Sequence, residues 1–395
     1  MSQMERRRAL KLLAGLGASG FIAACGSSDT DDSLPLSNIP VKIGLLVPQT
    51  GVFKPIGDEI VNGFQLYLSL HARRLGGHPV DLRIADEGET EKSGKAGLDK
   101  LIDGGADAIS GVVSSSVMLA IRDTIRAAKI PLVGSNASPV ALQGEVYIWR
   151  TSYVNSDCGQ AIGPYVASRV TGKVAMVAPS YPAGQDAIAG FQEGFGSRSK
   201  LIEQPFWTGT AINPGKGYYR SALDAIRAAN VEAVFCFFVG PAAIEFVKEF
   251  RAAQLGADLY AAGFLTEGTA LTELEEADAK GIFTALNYSA DLPNNANRVF
   301  AAAYRKAHGV SPTTYAMASY DAAQVLDKAI GLAGENPTAQ QINLMLGKVG
   351  QVDSPRGVWQ FNQSRTPQQK WYLREVRKDG QVLSNVLVSE LSTLG

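Results

Sequence analysis

Apolar residues fall into two recurring patterns along this chain. From Val41 onward, short runs of continuous apolar residues alternate with stretches in which they recur every three to four positions. The first pattern predicts strands covered on both faces, the second amphipathic helices. Val41–Val47 predicts a strand, and Ile60, Phe64, Tyr67, Leu68 and His71 share one helical face. A strand at 80–85, a helix at 91–102 and a strand at 108–113 follow. Val117, Ile121, Ile125 and Ala128 then line a helix, and 131–133 a strand. The alternation restarts after Ser156. It predicts a helix over Asp157–Arg169, a strand at 173–178 and a helix carrying Ile188, Phe191 and Phe195. A strand at 201–206, a helix at 217–229, a strand at 233–239 and a helix at 241–254 complete the series. Two such series predict an α/β protein with two doubly wound parallel-sheet lobes.

Beyond Thr284 the order changes. Two helices are predicted, at 294–307 and Thr314–Ala333, then short strands at 357–361 and 370–376. Helices without strands of their own must pack on a sheet already built. The chain is therefore expected to return to the first lobe near Tyr288 and to cross again near 357–361. Lobe one is expected to hold residues 41–151 and 288–360, and lobe two 152–287 and 361–395. Three connecting segments make a hinge.

The first forty residues read as an address. Arg6, Arg7, Arg8 and Lys11 precede a short apolar stretch that ends at Ala24-Cys25. This order predicts a signal peptide over 1–24. Arg6 to Lys11 resembles a twin-arginine export motif, with Ala9 where an aromatic residue is preferred. Ile22-Ala23-Ala24-Cys25 resembles a bacterial lipobox, which would make Cys25 the lipidated N-terminus of the mature chain. An ordinary secreted protein with an unpaired Cys25 is the plainer alternative. Residues 25–40 are rich in Ser, Asp, Asn and Pro and read as a tether. About 15 flexible residues span roughly 20 Å.

Composition narrows the function. Lys and Arg total 37 against 38 Asp and Glu, a net charge of −1. That balance argues against a nucleic-acid binder. Three cysteines and three scattered histidines give neither a disulfide scaffold nor a metal site, so no metal and no cofactor is expected. Cys236, inside an apolar strand, is expected to act as a small hydrophobe. No apolar run in the body approaches the roughly 20 residues of a membrane-spanning helix. There is no G-x-S-x-G elbow, no phosphate loop and no G-x-G-x-x-G after the first strand. Catalysis has no visible constellation.

Ligands of open parallel sheets sit beyond the carboxyl ends of the strands. Those ends are at 48–57, 111–116 and 134–139 in lobe one, and at 179–184, 239–241 and 263–268 in lobe two. Ser114, Ser115 and Ser116 lead directly into a helix, and Ser135, Asn136 and Ser138 offer similar chemistry. Hydroxyls and free N–H groups at a positive helix end can hold a carboxylate without a counter-ion. Each of these residues, taken alone, is more often a helix cap.

The opening Val41-Lys42-Ile43-Gly44-Leu45-Leu46-Val47-Pro48, with Thr50-Gly51 and Gly57, resembles the type I periplasmic binding proteins of ABC importers, of the leucine/isoleucine/valine kind. Gly63, Asp86, 111–116, Asn136-Ala137-Ser138, Arg150-Thr151, Gly184, Gly263 and Tyr320-Asp321-Ala322 follow in that family's order. The resemblance implies ligand contacts at Phe53 and Ile56, a carboxylate clamp at Ser115 and Ser116, and donors at Asn136, Ala137 and Ser138. In lobe two it implies an aromatic lid at Tyr181 or Ala183, contacts from Gly240, and an ammonium partner near Leu265 or Glu267. Ala183 stands where the family often has Tyr, and Leu265 is not acidic. The implied protein is a monomeric, lipid-anchored solute-binding protein outside the cytoplasm. It would deliver a branched-chain or other apolar amino acid, or an aromatic acid, to an ABC permease. A sensor signalling to a receptor is the alternative, and a cleft enzyme a more distant one.

Overall fold

The structure, a computed structural model, describes residues 36–395. The export motif, the signal peptide and Cys25 lie outside the described residues.

The first sheet has the order β2-β3-β1-β4-β5-β6. Its strands are β1 Val41–Val47, β2 Arg74–Leu75, β3 His78–Asp86, β4 Ala108–Gly111, β5 Leu132–Gly134 and β6 Ile148–Arg150. All neighbours are parallel except the β2–β3 hairpin. Helices α1 Lys54–Leu70, α2 Glu91–Asp103 and α3 Ser115–Ala128 make the crossovers.

The second sheet, which takes in β12 Gln360–Phe361, β13 Pro367–Asp379 and β14 Val382–Leu394 from the end of the chain, has the order β12-β13-β11-β10-β9-β7-β8, with β14 on β13. Its parallel part is β7 Val174–Pro179, β8 Phe206–Thr208, β9 Ala233–Cys236, β10 Asp258–Ala262 and β11 Phe283–Leu286. The crossover helices include α4 Asp157–Arg169, α5 Pro182–Phe195, α6 Arg220–Ala228 and α7 Pro241–Ala252. The central strand β9 is buried on both faces. Phe235 stacks on Phe191 of α5 with ring centroids 4.2 Å apart, while Val234 and Cys236 join the opposite layer with Phe246. This is the period of two that makes a continuous apolar run read as a covered strand. Cys158 and Cys236 are buried and unpaired.

Both lobes use one device to aim a loop. β1 and β7 run into Pro48 and Pro179, and a glycine in the first turn of the next helix, Gly57 or Gly184, lies against that proline's carbonyl. A Cβ at either glycine would collide with the carbonyl oxygen. Strand end and helix start are thereby pinned together, with the loop between them turned toward the other lobe.

After β11 the chain returns to the first sheet. Helices α8 Asn295–His308, α9 Thr314–Ala333 and α10 Ala339–Leu346 pack there, with Tyr67 of α1 donating to Asp327 of α9 at 2.6 Å. It then crosses to the second sheet as β12 Gln360–Phe361, β13 Pro367–Asp379 and β14 Val382–Leu394. The crossings are laced by hydrogen bonds. The carbonyl of Ser152 accepts from Asn287 at 2.7 Å, Arg356 at 2.8 Å and Gln369 at 2.9 Å. Arg356 also donates to Thr151 O and pairs with buried Asp321 at 2.7 Å.

Two expectations need correction. The strand expected at 201–206 forms only at Phe206–Thr208, with Leu201 making an isolated bridge to Val174. Pro205 has no N–H for a ladder and stands between them. The short strand expected at 370–376 is part of one arm of a hairpin with thirteen residues in each arm, Pro367–Asp379 with Val382–Leu394. Its two-residue turn places Gly380 at φ +62°, the conformation such turns require. Strand β6 and helix α10 were not anticipated.

Candidate functional site

A cavity of about 370 Å³ lies between the carboxyl ends of the two sheets. In lobe one it opens where β1 and β4 lie side by side and the strand order reverses. In lobe two it opens at the corresponding reversal between β7 and β9. Such switch points leave a crevice, because adjacent crossovers depart to opposite faces.

The polar side is built from β4 and α3. Val112 adopts φ +65°, unusual for a β-branched residue. It is held there from both sides, donating to Leu46 O at 2.7 Å and accepting from Ala137 N at 2.9 Å. The turn points the N–H groups of Val113 and Ser114 at the two oxygens of the wholly buried carboxyl group of Glu87, each at 2.7 Å. Burial pushes the Glu87 acid up to about 8, against the pull of these two bonds. Ser114 then caps α3, accepting from Val117 N at 3.4 Å. The N–H groups of Ser115 and Ser116, in the first turn, carry no hydrogen bond within the described residues. Ser114, Ser115 and Ser116 all line the cavity. The partial positive charge of the helix end adds to them.

The apolar side is a chain of aromatic rings. Tyr181 meets Phe237 at 6.4 Å, Phe237 meets Phe264 at 5.9 Å, and Phe264 meets Tyr153 at 5.1 Å and Tyr315 at 6.2 Å. Phe53, Val239 and Ile212 extend this wall, and Glu89, Thr90, Glu91 and Thr210 complete the lining. Among the described residues, no Lys or Arg lines the cavity. No group of three or more His, Cys, Asp or Glu that could hold a metal occurs among them either.

The structure brings Phe53, Ser115, Ser116, Asn136, Ala137, Tyr181 and Ala183 to this cavity. Two of them differ in role from the expectation. Ala137 has its N–H engaged by Val112 O. Asn136 has both ends of its amide engaged, donating to Val113 O and accepting from Tyr153 Oη, each at 3.0 Å. The other expected contacts lie elsewhere. Ile56 is in the core, and Ser138 is wholly buried with its N–H on Asn155 Oδ1 at 3.3 Å. Gly240 stands against the ring of Phe53, off the cavity wall. Leu265 packs in the core layer of Val234 and Phe246. Glu267 is not a free carboxylate: it is paired with Arg374 at 2.8 Å and accepts from Thr314 N at 2.9 Å.

Sequence reasoning missed Glu87, Tyr153, Asn155, Phe237 and Tyr315. Glu87 follows Asp86 at a strand end, a position that could have been flagged. The others gain their place only from partners distant in the chain.

A family model described as periplasmic binding protein matches residues 40–381. The chain belongs to this family. A solute-binding protein of an ABC transporter from R. palustris, solved in complex with benzoate, is 28% identical with TM-score 0.80, covering 89% of this chain and 98% of that one. One from Rhodopseudomonas palustris BisB5, in complex with 3,4-dihydroxybenzoic acid, is 26% identical with TM-score 0.82, covering 90% and 98%. Among curated proteins, Leu/Ile/Val-binding protein homolog 6 of Brucella melitensis is 25% identical over 350 residues, 86% of this chain and 88% of its own. This periplasmic binding protein is thus a solute-binding component of an ABC transporter, a class that works outside the cytoplasm with a membrane permease. Among the described residues, no helix is long and apolar enough to cross a membrane.

Proposed function

We propose that this protein captures a small carboxylate with an aromatic or apolar body, of the benzoate class, and hands it to its permease. The observation that carries this reading is the division of the cavity. Ser114, Ser115 and Ser116, at a helix end whose first N–H groups are free, stand on one side and aromatic rings on the other, and among the described residues no buried acid lines the cavity to meet an ammonium group. Glu89 and Glu91 are exposed at the rim, and Glu89 accepts from Val52 N at 2.6 Å. The benzoate and dihydroxybenzoate complexes of the two relatives above support the same class.

In this reading Ser115 and Ser116 hold the carboxylate, and Tyr181, Phe237 and Phe264 cover the ring. The lobes, residues 41–151 with 288–360 and residues 152–287 with 361–395, close about the three laced crossings. The chain acts as a monomer, anchored to the membrane through a lipid on Cys25. Cys25→Ala should release it from membranes or block its processing; unchanged association and precursor mass would refute the anchor.

Thermal unfolding in a series of benzoates against leucine and isoleucine tests the ligand class. A ligand at a hundredfold excess over Kd stabilises by about 2.7 kcal/mol. Benzoate should raise the melting temperature and leucine should not. The reverse result would favour a branched-chain amino acid, the class named in the curated relatives.

A further inference from the structure

Asn155 links the cavity to both lobes. It lies just past the crossing between residues 151 and 152 and is 4% exposed. Its Nδ2 donates to Ser115 Oγ at 3.2 Å and to Asp186 Oδ2 at 3.1 Å, and its Oδ1 accepts from Ser138 N at 3.3 Å. Asp186 belongs to α5 of lobe two, and its Oδ2 also accepts the N–H of Val140 in lobe one at 3.1 Å.

These partners leave the amide one orientation. A backbone N–H only donates and an ionised carboxylate only accepts, so Nδ2 must face Asp186 and Oδ1 must face Ser138. Nδ2 therefore presents a hydrogen to Ser115, whose oxygen acts as the acceptor. A hydroxyl has a single hydrogen. That of Ser115 has no acceptor elsewhere among the described residues, so it is left for the cavity.

We infer that Asp186 and Asn155 form a positioning relay that fixes Ser115 as a donor and so makes the site select a carboxylate over a neutral isostere. The inference rests on the carboxylate reading of the cavity given above. A carboxamide also offers N–H groups that need acceptors; the relay already occupies one of the two lone pairs of the Ser115 oxygen and leaves its hydrogen for the cavity, so the hydroxyl meets an acceptor better than a donor. Because Asp186 also holds Val140, the relay is complete only with the two lobes in contact at this point. Selection and closure then share one set of bonds.

The test uses the full-length chain and two acid–amide pairs, benzoate with benzamide and leucine with leucinamide, measured by calorimetry. Asn155→Leu should weaken binding of the acid about tenfold, the equivalent of 1.4 kcal/mol. It should leave the amide unchanged or tighter, so the acid-to-amide preference falls at least as far. Asp186→Asn, at a half-buried site, should lower the preference in the same direction and serves if Asn155→Leu fails to fold. In a Ser115→Ala background, Asn155→Leu should have no further effect on acid affinity, since the relay acts through that hydroxyl. A merely structural Asn155 would weaken acid and amide alike and add fully to Ser115→Ala. That result overturns the relay while a loss on Ser115→Ala alone keeps the carboxylate reading. Failure of the wild-type chain to bind either acid overturns both.

Discussion

The carboxylate of Glu267 lies 2.8 Å from the guanidinium of Arg374, and both side chains are almost wholly buried. Arg374 reaches the carbonyls of Tyr288 and Gly263 as well, each at 3.2 Å. Glu267 in turn accepts the N–H of Thr314, the first residue of α9. The pair thus ties a lobe-two loop to a helix that packs on lobe one. A buried pair adds little net stability over an apolar filling, but losing one partner strands the other at a cost of about 3–5 kcal/mol. Glu267→Ala should therefore lower the unfolding free energy by about that amount in urea. A side chain meeting a ligand's ammonium would show the opposite pattern, with affinity lost and stability kept.

Ser114 and Ser115 are neighbours with separable roles. Ser114 caps α3, so Ser114→Ala should cost about 1 kcal/mol of stability. Ser115 makes no cap bond. Ser115→Ala should weaken acid binding by about 10- to 150-fold, from a charge-assisted hydrogen bond of about 1.5–3 kcal/mol. Denaturation and calorimetry on the two single variants separate the roles; a swap of the two effects would reverse the assignment.

Glu87 predicts a pH dependence. Burial raises its acid from the ordinary 4.5 to about 8, so the folded chain holds a proton that the unfolded chain has released. Its contribution is fully present below pH 4.5 and is lost as pH rises through 8. The stability of the wild type relative to Glu87→Gln should fall steadily between pH 5 and pH 8, read as the difference between their melting temperatures. A difference constant across that window would show that Glu87 is ionised in the fold.

Closure about the laced crossings predicts compaction. Small-angle scattering with a saturating bound acid should give a smaller radius of gyration than the free chain. An unchanged radius would argue for a cavity that fills without lobe movement.

Much of the fold was legible because some segments carry their own evidence. β1 Val41–Val47, α4 Asp157–Arg169 and α9 Thr314–Ala333 form at the bounds their apolar spacing predicts. The C-terminal hairpin was less so. Its second strand mixes Ser, Asn and Glu among Val and Leu, and it is only half buried. Within the site, Ser115 and Ser116 could be found because they follow the carboxyl end of a strand, where crevices open; Phe53 and Tyr181 lie in two further strand-end segments and were named through the family resemblance.

The sequence by itself determined two α/β lobes, the returning helices and the loops that meet between them. Those features depend on local periodicity and on which strand ends the crossovers leave bare. Only the tertiary structure decided which polar groups remain available there. Glu267 is engaged by Arg374, 107 residues away, and Asn136 by Tyr153 and Val113. Asn155 donates to Ser115, 40 residues distant. A hydrogen-bonding group has the same inventory of donors and acceptors wherever it stands in a chain. What it can offer a ligand is what its folded neighbours leave over, and those neighbours are set by packing between distant segments.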